Sequence, residues 1–122
     1  MKRVDKPWGW EEVLVETPFY RVKRLMINPG HRTSLHWHRF KTETLITPRL
    51  NYVPVPVGTY GSTAAEPLFK SIAVIACEVE HIPSRKEHRL EAKPQPSPTE
   101  IIEVSVGDDQ DVVRIEDDYG RR

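Results

Sequence analysis

Four residues of metal-binding types stand at spacings that could bring them to one ion. His36 and His38 flank Trp37, Glu43 follows five residues later, and His88 comes much later in the chain. Residues two apart on a strand share a face, with Cα atoms roughly 6.6 Å apart, so the first two imidazoles could converge on one cation through bonds of about 2.0–2.1 Å. We predict that His36, His38, Glu43 and His88 bind a divalent metal (Zn, Mn, Fe or Ni), which could polarise a carbonyl or hydroxyl group.

The composition favours one soluble domain and excludes several classes of partner. The 122 residues include 18 Lys and Arg and 18 Asp and Glu, so the formal net charge is zero. A neutral chain has no electrostatic preference for nucleic acid or an anionic membrane, and no apolar stretch approaches the ~20 residues that span a bilayer. The single cysteine, Cys77, excludes an intramolecular disulfide, and residues 1–7 lack the apolar core of a signal peptide. We expect a cytoplasmic protein with one domain over residues 1–122.

Short runs rich in β-branched residues, separated by turn signals, predict an all-β fold. Eleven prolines also oppose long helices. The segment 51–57 contains Pro54 and Pro56, which cannot donate to a sheet, so it should be an edge strand or an extended arm. Residues 58–67 are predicted to form a flexible loop. The predicted strands are 13–15, 19–27, 34–39, 43–46, 51–57, 69–76, 79–82, 89–92, 101–106 and 112–115.

These motifs resemble those of the cupin family. Gly30 followed by His36-x-His38 and Glu43 resembles the first cupin motif, and residues 81–88 resemble the second. The segments 6–12 and 102–121 are similar to type II mannose-6-phosphate isomerase domains and their stand-alone sugar-pathway relatives. The resemblance implies a single cupin domain, a double-stranded β-helix or jelly-roll barrel that holds its site inside. It also implies a sugar or sugar-phosphate ligand. Because pairing covers exposed sheet edges, we expect a homodimer.

The sequence departs from the cupin motifs at three glycine positions. The glycine after Glu43 would fall near Leu50, the turn before the second motif is centred on Cys77, and Arg85 replaces the glycine after Pro83. A non-glycine residue at positive φ costs about 1–2 kcal/mol, so we expect the turn at 76–78 to have changed type. The four predicted ligand positions are unaffected.

Lys23 is the predicted catalytic or substrate-contacting residue. It alternates with Arg21 and Leu25 on a predicted strand, and the resembling family carries a lysine at this position. A lysine inside a barrel needs an anionic partner, which a sugar phosphate or an acidic side chain could supply. The alternative is a surface lysine in a charged segment.

Other polar residues are expected to have structural roles. Arg39 and Arg89 adjoin predicted ligands but should point away from the metal by strand alternation. Glu103 and Arg114 could form a buried ion pair. His31 is expected to be a solvated loop residue, and His81 is expected to pack or hydrogen-bond near the barrel mouth. The segment 116–122 should form a docked, ion-paired tail.

The resemblance implies a metal-dependent aldose–ketose isomerase that acts on a sugar phosphate. A general base would move a proton between C1 and C2, and the sequence leaves that base open between Lys23 and a carboxylate. Two alternatives stand beside this reading. One is a non-catalytic module that binds a sugar or nucleotide sugar, and the other is a metal-dependent dioxygenase, because three histidines and one glutamate can also hold iron.

Overall fold

The predicted all-β class is confirmed by the computed structural model. The structure describes residues 2–56, 69–92 and 94–122, with the side chains of 49–56 and 69–77 outside the description, and over these ranges it contains strands and no helix. Consequently, no helix in the described ranges could span a membrane. The strands are β1 (Lys2–Lys6), β2 (Gly9–Glu16), β3 (Arg21–Ile27), β4 (Leu35–Trp37), β5 (Thr42–Pro56), β6 (Phe69–Ile82), β7 (Thr99–Val106) and β8 (Val113–Glu116).

Six of the strands form one antiparallel sheet and two form another. The order in the larger sheet is β1-β2-β3-β7-β5-β6, and β4 pairs with β8 in the smaller sheet. Strand β1 pairs with β2 and forms an edge of the larger sheet. The sequence did not predict this strand, and the strand predicted at 89–92 is wrong, since Glu91 makes only an isolated bridge to Arg32.

Strands β5 and β6 form a long ribbon in place of two pairs of predicted strands. The ribbon pairs Glu43 with Ile82 and continues without a break to Pro56 and Phe69. The turn expected around Cys77 is therefore wrong, because Cys77 lies within β6 and pairs with Pro48. Beyond Ile46, β5 pairs with β6 and no longer with β7. This agrees with the edge position expected for its prolines. The loop predicted at 58–67 lies outside the described residues.

The interior of the molecule changes from apolar to charged along its strands. On β3 the buried side chains are Lys23, Leu25 and Ile27, and the β7 partners of Lys23 and Leu25 are Glu103 and Ile101. One end of the inner face is thus a hydrophobic core, where each large side chain contributes about 1.5–3 kcal/mol by burial. The other end carries charges that require partners. The buried apolar residues are Trp8, Leu25, Ile27, Leu45, Ile82, Ala92 and Ile101.

The close approach of another main chain explains why β2 begins with a glycine, Gly9. Its φ is +154°, and a Cβ at this position would lie 1.9 Å from the carbonyl oxygen of Met26. The close approach lets the amide of Asn28 donate to the carbonyl of Trp8 at 2.8 Å. This places the Trp8 side chain, 4% exposed, in the core.

Candidate metal centre

The four predicted ligand residues converge at one place. One ligand atom from each of His36, His38, Glu43 and His88 can be chosen so that all four lie within 4.8 Å of one another. The imidazole centroids are 4.4 Å apart for His36 and His88, 5.0 Å for His36 and His38, and 5.1 Å for His38 and His88. Metal–nitrogen bonds of about 2.0–2.1 Å place opposed ligand atoms about 4 Å apart. The cluster therefore has nearly the dimensions of a coordination sphere.

Main-chain carbonyls fix the tautomer of all three histidines. The Nδ1 atoms of His36, His38 and His88 lie 2.8 Å, 2.5 Å and 2.9 Å from the carbonyl oxygens of Ser34, Asp111 and Lys86. A carbonyl only accepts hydrogen bonds, so each Nδ1 must carry a proton and donate it. Each neutral ring is then left with a lone pair on Nε2, as metal-binding histidines require.

The resulting arrangement of acceptors fits a cation. Nε2 of His88 lies 2.7 Å from Oε1 of Glu43, and Nε2 of His38 lies 3.6 Å from the same oxygen. Both Nε2 atoms are buried and lack a hydrogen-bond partner among the described residues. Two acceptors this close repel each other unless a positive charge lies between them. Three imidazoles and one carboxylate could therefore hold a borderline divalent metal.

Electrostatic interactions keep His36 neutral and Glu43 ionised, which are the forms that bind a metal. Burial, together with the nearby His88, lowers the pKa of His36 to about 4, so this ring is neutral at pH 7. Burial opposes the charged forms of His38 and Glu43, but their mutual interaction outweighs it, and the pKa of His38 is raised. The His38 and His88 rings hold the pKa of Glu43 well below its usual range, so Glu43 stays ionised.

Short backbone contacts position the ligands. His36 on β4 and His88 form an antiparallel bridge, with N–O distances of 3.0 Å and 2.8 Å between their main chains. The amide of Arg85 donates to the carbonyl of His38 at 2.7 Å. Arg85 has φ of +68°, so the turn keeps the backbone conformation of the expected glycine although an arginine occupies it.

Asp111 holds the segment between β4 and β5 in place. Its carboxylate accepts the amides of Arg39, Phe40 and Lys41 at 3.0, 2.8 and 3.0 Å, while its main-chain carbonyl accepts Nδ1 of His38. These amide bonds lower the pKa of Asp111 to about 2. One residue thus fixes His38 relative to Glu43, and sequence analysis missed it because Asp111 is distant from both in the chain.

Lys41 is a second residue that sequence analysis missed. Its side chain is 4% exposed, and Nζ lies 3.5 Å from Glu43, 3.5 Å from Glu103 and 3.4 Å from Asp109. Burial opposes its charge, but these carboxylates raise its pKa. Lys41 stands two residues before Glu43, and this spacing on an extended chain could have placed it on the same face.

Lys23 lies in the interior, with its charge balanced by acidic side chains. Nζ is 3.1 Å from Oε1 of Glu11 and also contacts the carboxylate of Asp109. Although burial opposes the charged ammonium, these partners raise its pKa. The alternative of a surface lysine is therefore wrong, since Lys23 is 4% exposed.

The same network contains a buried carboxyl, that of Glu103, whose pKa is raised. Burial, and the nearby Glu43 charge, raise the pKa of Glu103 to about 7 despite Lys41. The ion pair predicted between Glu103 and Arg114 is wrong. Glu103 instead faces Lys41, and the guanidinium of Arg114 donates to the main-chain oxygen of Arg122 at 2.7 Å.

The metal cluster and both lysines line one cavity of about 670 Å³. This volume lies within the roughly 300–1,000 Å³ typical of small-molecule sites. Its charged lining includes Glu11, Glu103, Asp109, Arg114, Arg121 and Arg122. A small polar molecule could therefore reach the cluster.

Comparison with known proteins assigns the family. The family model described as mannose-6-phosphate isomerase C-terminal matches residues 1–117. The chain belongs to this family. It is 29% identical to a mannose-1-phosphate guanylyltransferase of Klebsiella pneumoniae over 98% of the chain, but covers 24% of that protein. It thus spans about a quarter of the length of the curated relatives that it matches.

Solved structures confirm the predicted cupin fold. The capsular polysaccharide assembling protein CapF of Staphylococcus aureus superposes with a TM-score of 0.63 and 18% identity, covering 94% of this chain and 31% of that one. A Klebsiella pneumoniae protein with a double-stranded β-helix domain superposes with a TM-score of 0.55 and 14% identity, covering 87% of this chain and 83% of that one. At these identities the likeness establishes the fold alone.

The other polar residues considered in the sequence lie outside the cluster. Arg39 is exposed, and Arg89 donates from Nε to the carbonyl of Thr33 at 2.9 Å, so neither guanidinium joins the cluster. His31 is exposed, as expected, and His81 is also exposed but forms a hydrogen bond of 3.1 Å between its Nδ1 and Oγ1 of Thr44. The tail is docked through ion pairs, as expected, with Asp117 bound to Arg121 and Asp118 to Arg32.

Proposed function

We propose that this chain is a metal-dependent aldose–ketose isomerase acting on a sugar phosphate such as mannose 6-phosphate. The observation that carries the proposal is the set of three histidines with proton-bearing Nδ1 atoms, meeting Glu43 at the wall of a cavity of about 670 Å³. The family description supplies the reaction, since it names mannose-6-phosphate isomerase. His36, His38, Glu43 and His88 are the proposed ligands.

The guanylyltransferase activity named for the Klebsiella relative is not proposed for this chain. That protein is about four times longer than the segment matched here. Nucleotidyl transfer requires a site that binds nucleotide phosphates, and the sequence contains no glycine-rich phosphate loop. The isomerase named by the family description needs only a cavity, a metal and polar groups that can position a sugar.

A bound divalent metal would polarise the sugar carbonyl and an adjacent hydroxyl oxygen. Lys41 holds one oxygen of Glu43 in place from 3.5 Å. Lys23 remains protonated because Glu11 and Asp109 balance its charge, so it is proposed as a donor and not as the base. An ammonium has three donors, and two face these carboxylates, which leaves one to hold a sugar oxygen.

The test measures the interconversion of mannose 6-phosphate and fructose 6-phosphate by the purified, metal-loaded chain. Activity should disappear in the His36→Ala, His38→Ala double variant and persist in His81→Ala, whose histidine is exposed and outside the cluster. Lys23→Met should lower kcat by roughly 10²-fold, because it removes the donor proposed to hold a sugar oxygen.

Three results would contradict the isomerase. Turnover by the parent chain no greater than that of the His36→Ala, His38→Ala double variant would contradict isomerase activity. Ligand binding by calorimetry without product would favour the sugar-binding module, and oxygen consumption by an iron-loaded sample would favour the dioxygenase.

A further inference from the structure

Strand β1 is both an edge of the larger sheet and part of the wall of the cavity. Lys2, Val4 and Lys6 line the cavity of about 670 Å³, since residues two apart on a strand share a face. β1 pairs with β2, and its other side carries no strand within the ranges that the structure describes. A chain that added to this edge would therefore extend the wall of the cavity.

Charges on the opposite face of β1 suit a second copy of this chain. Arg3 and Asp5 alternate with the cavity residues; within one chain their charged groups are 3.7 Å apart, and their side chains are 57% and 88% exposed. Two copies related by a two-fold axis at Val4 pair antiparallel over the whole strand, because Lys2–Lys6 is centred on Val4. Arg3 of each chain then lies opposite Asp5 of the partner subunit, and opposite charges so placed stabilise strand pairing.

The neighbouring registers lack this complementarity. Moving the axis to Arg3 or to Asp5 keeps cavity residues opposite cavity residues, but it places two arginines or two aspartates directly opposite each other, which is destabilising. It also shortens the paired segment. The register centred on Val4 is therefore the one that pairs opposite charges over the full length of β1.

On the cavity face the same register brings lysines together. Lys2 lies opposite Lys6 of the partner subunit, with Cβ atoms about 4.5–5.5 Å apart. Within its own chain Lys6 is 3.7 Å from a carboxylate oxygen of Glu11, whereas Lys2 forms no ion pair among the described residues. These lysine pairs oppose association unless an anion lies beside them.

We propose that a second copy of this chain adds to β1 with the two-fold axis at Val4, and that an anionic ligand in the cavity strengthens this contact. Each cavity then gains Lys6 of the partner subunit beside its own Lys2. Naming the anion as a sugar phosphate rests on the proposed function, whereas the register rests on the charges of β1. The contact between two short strands is small, so the dimer should dissociate on dilution.

Charge reversal tests the register. Light scattering on the full chain over a range of concentrations gives the dissociation constant of the dimer. Arg3→Asp places aspartates opposite Asp5, and Asp5→Arg places arginines opposite Arg3, so each variant alone should dimerise at least about 10-fold more weakly than the parent. An equimolar mixture of the two variants should regain the dimer, because their charges are then complementary. This recovery also shows that both variants fold.

The matched control is Glu80→Lys, which reverses an exposed charge on β6 at the other edge of the larger sheet. It should dimerise as tightly as the parent, since it leaves β1 unchanged. Thermal unfolding is recorded for each variant.

Adding mannose 6-phosphate or mannose to the metal-loaded chain tests the role of the anion. Mannose 6-phosphate should lower the dissociation constant of the dimer by about 10-fold, a usual size for coupled binding, and mannose should leave it unchanged. Lys2→Gln removes one lysine from each pair. It should therefore strengthen the ligand-free dimer and remove most of the gain from mannose 6-phosphate.

The proposal is overturned if either charge variant dimerises as tightly as the parent, if their mixture is no tighter than each alone, or if Glu80→Lys weakens the dimer equally. It is also overturned if mannose 6-phosphate has no more effect than mannose, or the same effect in Lys2→Gln. A gain from mannose 6-phosphate that depends on Lys2, without formation of fructose 6-phosphate, would contradict isomerase activity and leave the ligand-coupled dimer standing.

Discussion

The candidate ligand atoms of the proposed metal centre are oriented by hydrogen bonds from the histidine rings to main-chain carbonyls. His36 and His88 donate from Nδ1 to the carbonyls of the residues two positions before them, whereas His38 donates to the carbonyl of the distant Asp111. The side-chain types at positions 36, 38, 43 and 88 could be predicted from motif spacing. The tautomers could not, because they depend on the local backbone conformation and, for His38, on a carbonyl that the fold brings near.

Replacing His38 by alanine is expected to remove most metal binding. The change deletes one of four proposed ligands and leaves His36, Glu43 and His88. Loss of a supporting residue alone typically costs 10- to 100-fold in metal affinity, so loss of a ligand should cost more than about 100-fold. Elemental analysis after loading and dialysis gives the metal content per chain. The exposed His81→Ala variant should retain metal, and full retention in His38→Ala would contradict the assigned ligand.

Replacing Arg85 by glycine is expected to stabilise the protein by about 1 kcal/mol. Arg85 has φ of +68°, which costs an L-residue about 1–2 kcal/mol and glycine almost nothing. Part of the gain is offset by the greater freedom of glycine in the unfolded chain. Urea unfolding measures the difference. Ser84→Gly lies in the same turn without a positive φ, and it should lower stability by up to about 1 kcal/mol; a gain there as well would refute the strain argument.

Residues that support the ligands were harder to predict than the ligands themselves. Lys41 and Asp111 carry no motif, and their roles arise from contacts with Glu43 and His38. A charged residue at an inward position of a strand is the available signal, since burial of an unpaired charge is costly. For Lys23 the sequence left the interior and the surface open, and it did not identify Glu11 and Asp109 as partners of this lysine.

At the level of strands, alternation and turn residues located β2, β3 and β7 but not the β5–β6 ribbon. In the sequence alone, the missing glycines near Leu50 and at Cys77 are two separate departures from the cupin motifs. In the structure these positions lie in the same part of the ribbon, with Leu50 paired to Ile75 and Cys77 to Pro48. Both strands therefore continue through the region together. A pairing between distant segments leaves little trace in either segment alone, so the sequence could not predict it.

The docked tail after β8 is expected to make stability depend on pH through Asp117. Its side chain is 3% exposed, and hydrogen bonds from Arg121 lower its pKa from 3.8 to about 2. Because the pKa is lower in the folded state, the stabilisation is present above pH 4 and is lost as the pH falls towards 2. Asp117→Asn should cost about 1.5–3 kcal/mol at pH 7 and flatten the pH dependence of unfolding between pH 4 and 2.

The neighbouring residue supplies the control for this tail. Asp118 also binds an arginine through two hydrogen bonds, of 2.7 Å and 3.0 Å to Arg32, but its side chain is 41% exposed. Exposed ion pairs contribute about 0–1 kcal/mol. Asp118→Asn should therefore change the free energy of unfolding by less than about 1 kcal/mol. Equal losses of unfolding free energy in Asp117→Asn and Asp118→Asn would show that burial does not make the ion pair of Asp117 stronger than that of Asp118.

For the whole molecule, the edge of the larger sheet supports the prediction of a homodimer. Strand β1 pairs on one side with β2, and no strand among the described residues pairs with its other side, where a second chain could add. Light scattering after size exclusion should give twice the mass of one chain. Val4→Pro on β1 should shift the mass towards the monomer, since proline removes an amide and obstructs pairing. A monomeric mass at all accessible protein concentrations would contradict the predicted homodimer.

Metal binding should stabilise the whole molecule, because the proposed ligands join distant parts of the fold. His36 lies on β4, Glu43 on β5 and His88 in the segment after β6. A metal bound by the folded chain alone, at 100 times its Kd, raises the free energy of unfolding by about 2.7 kcal/mol. Denaturation with and without a chelator measures this gain, which should vanish in His88→Ala and remain in His81→Ala. An equal gain in His88→Ala would place the bound ion elsewhere, and the four residues would then be a buried polar cluster with no part in binding.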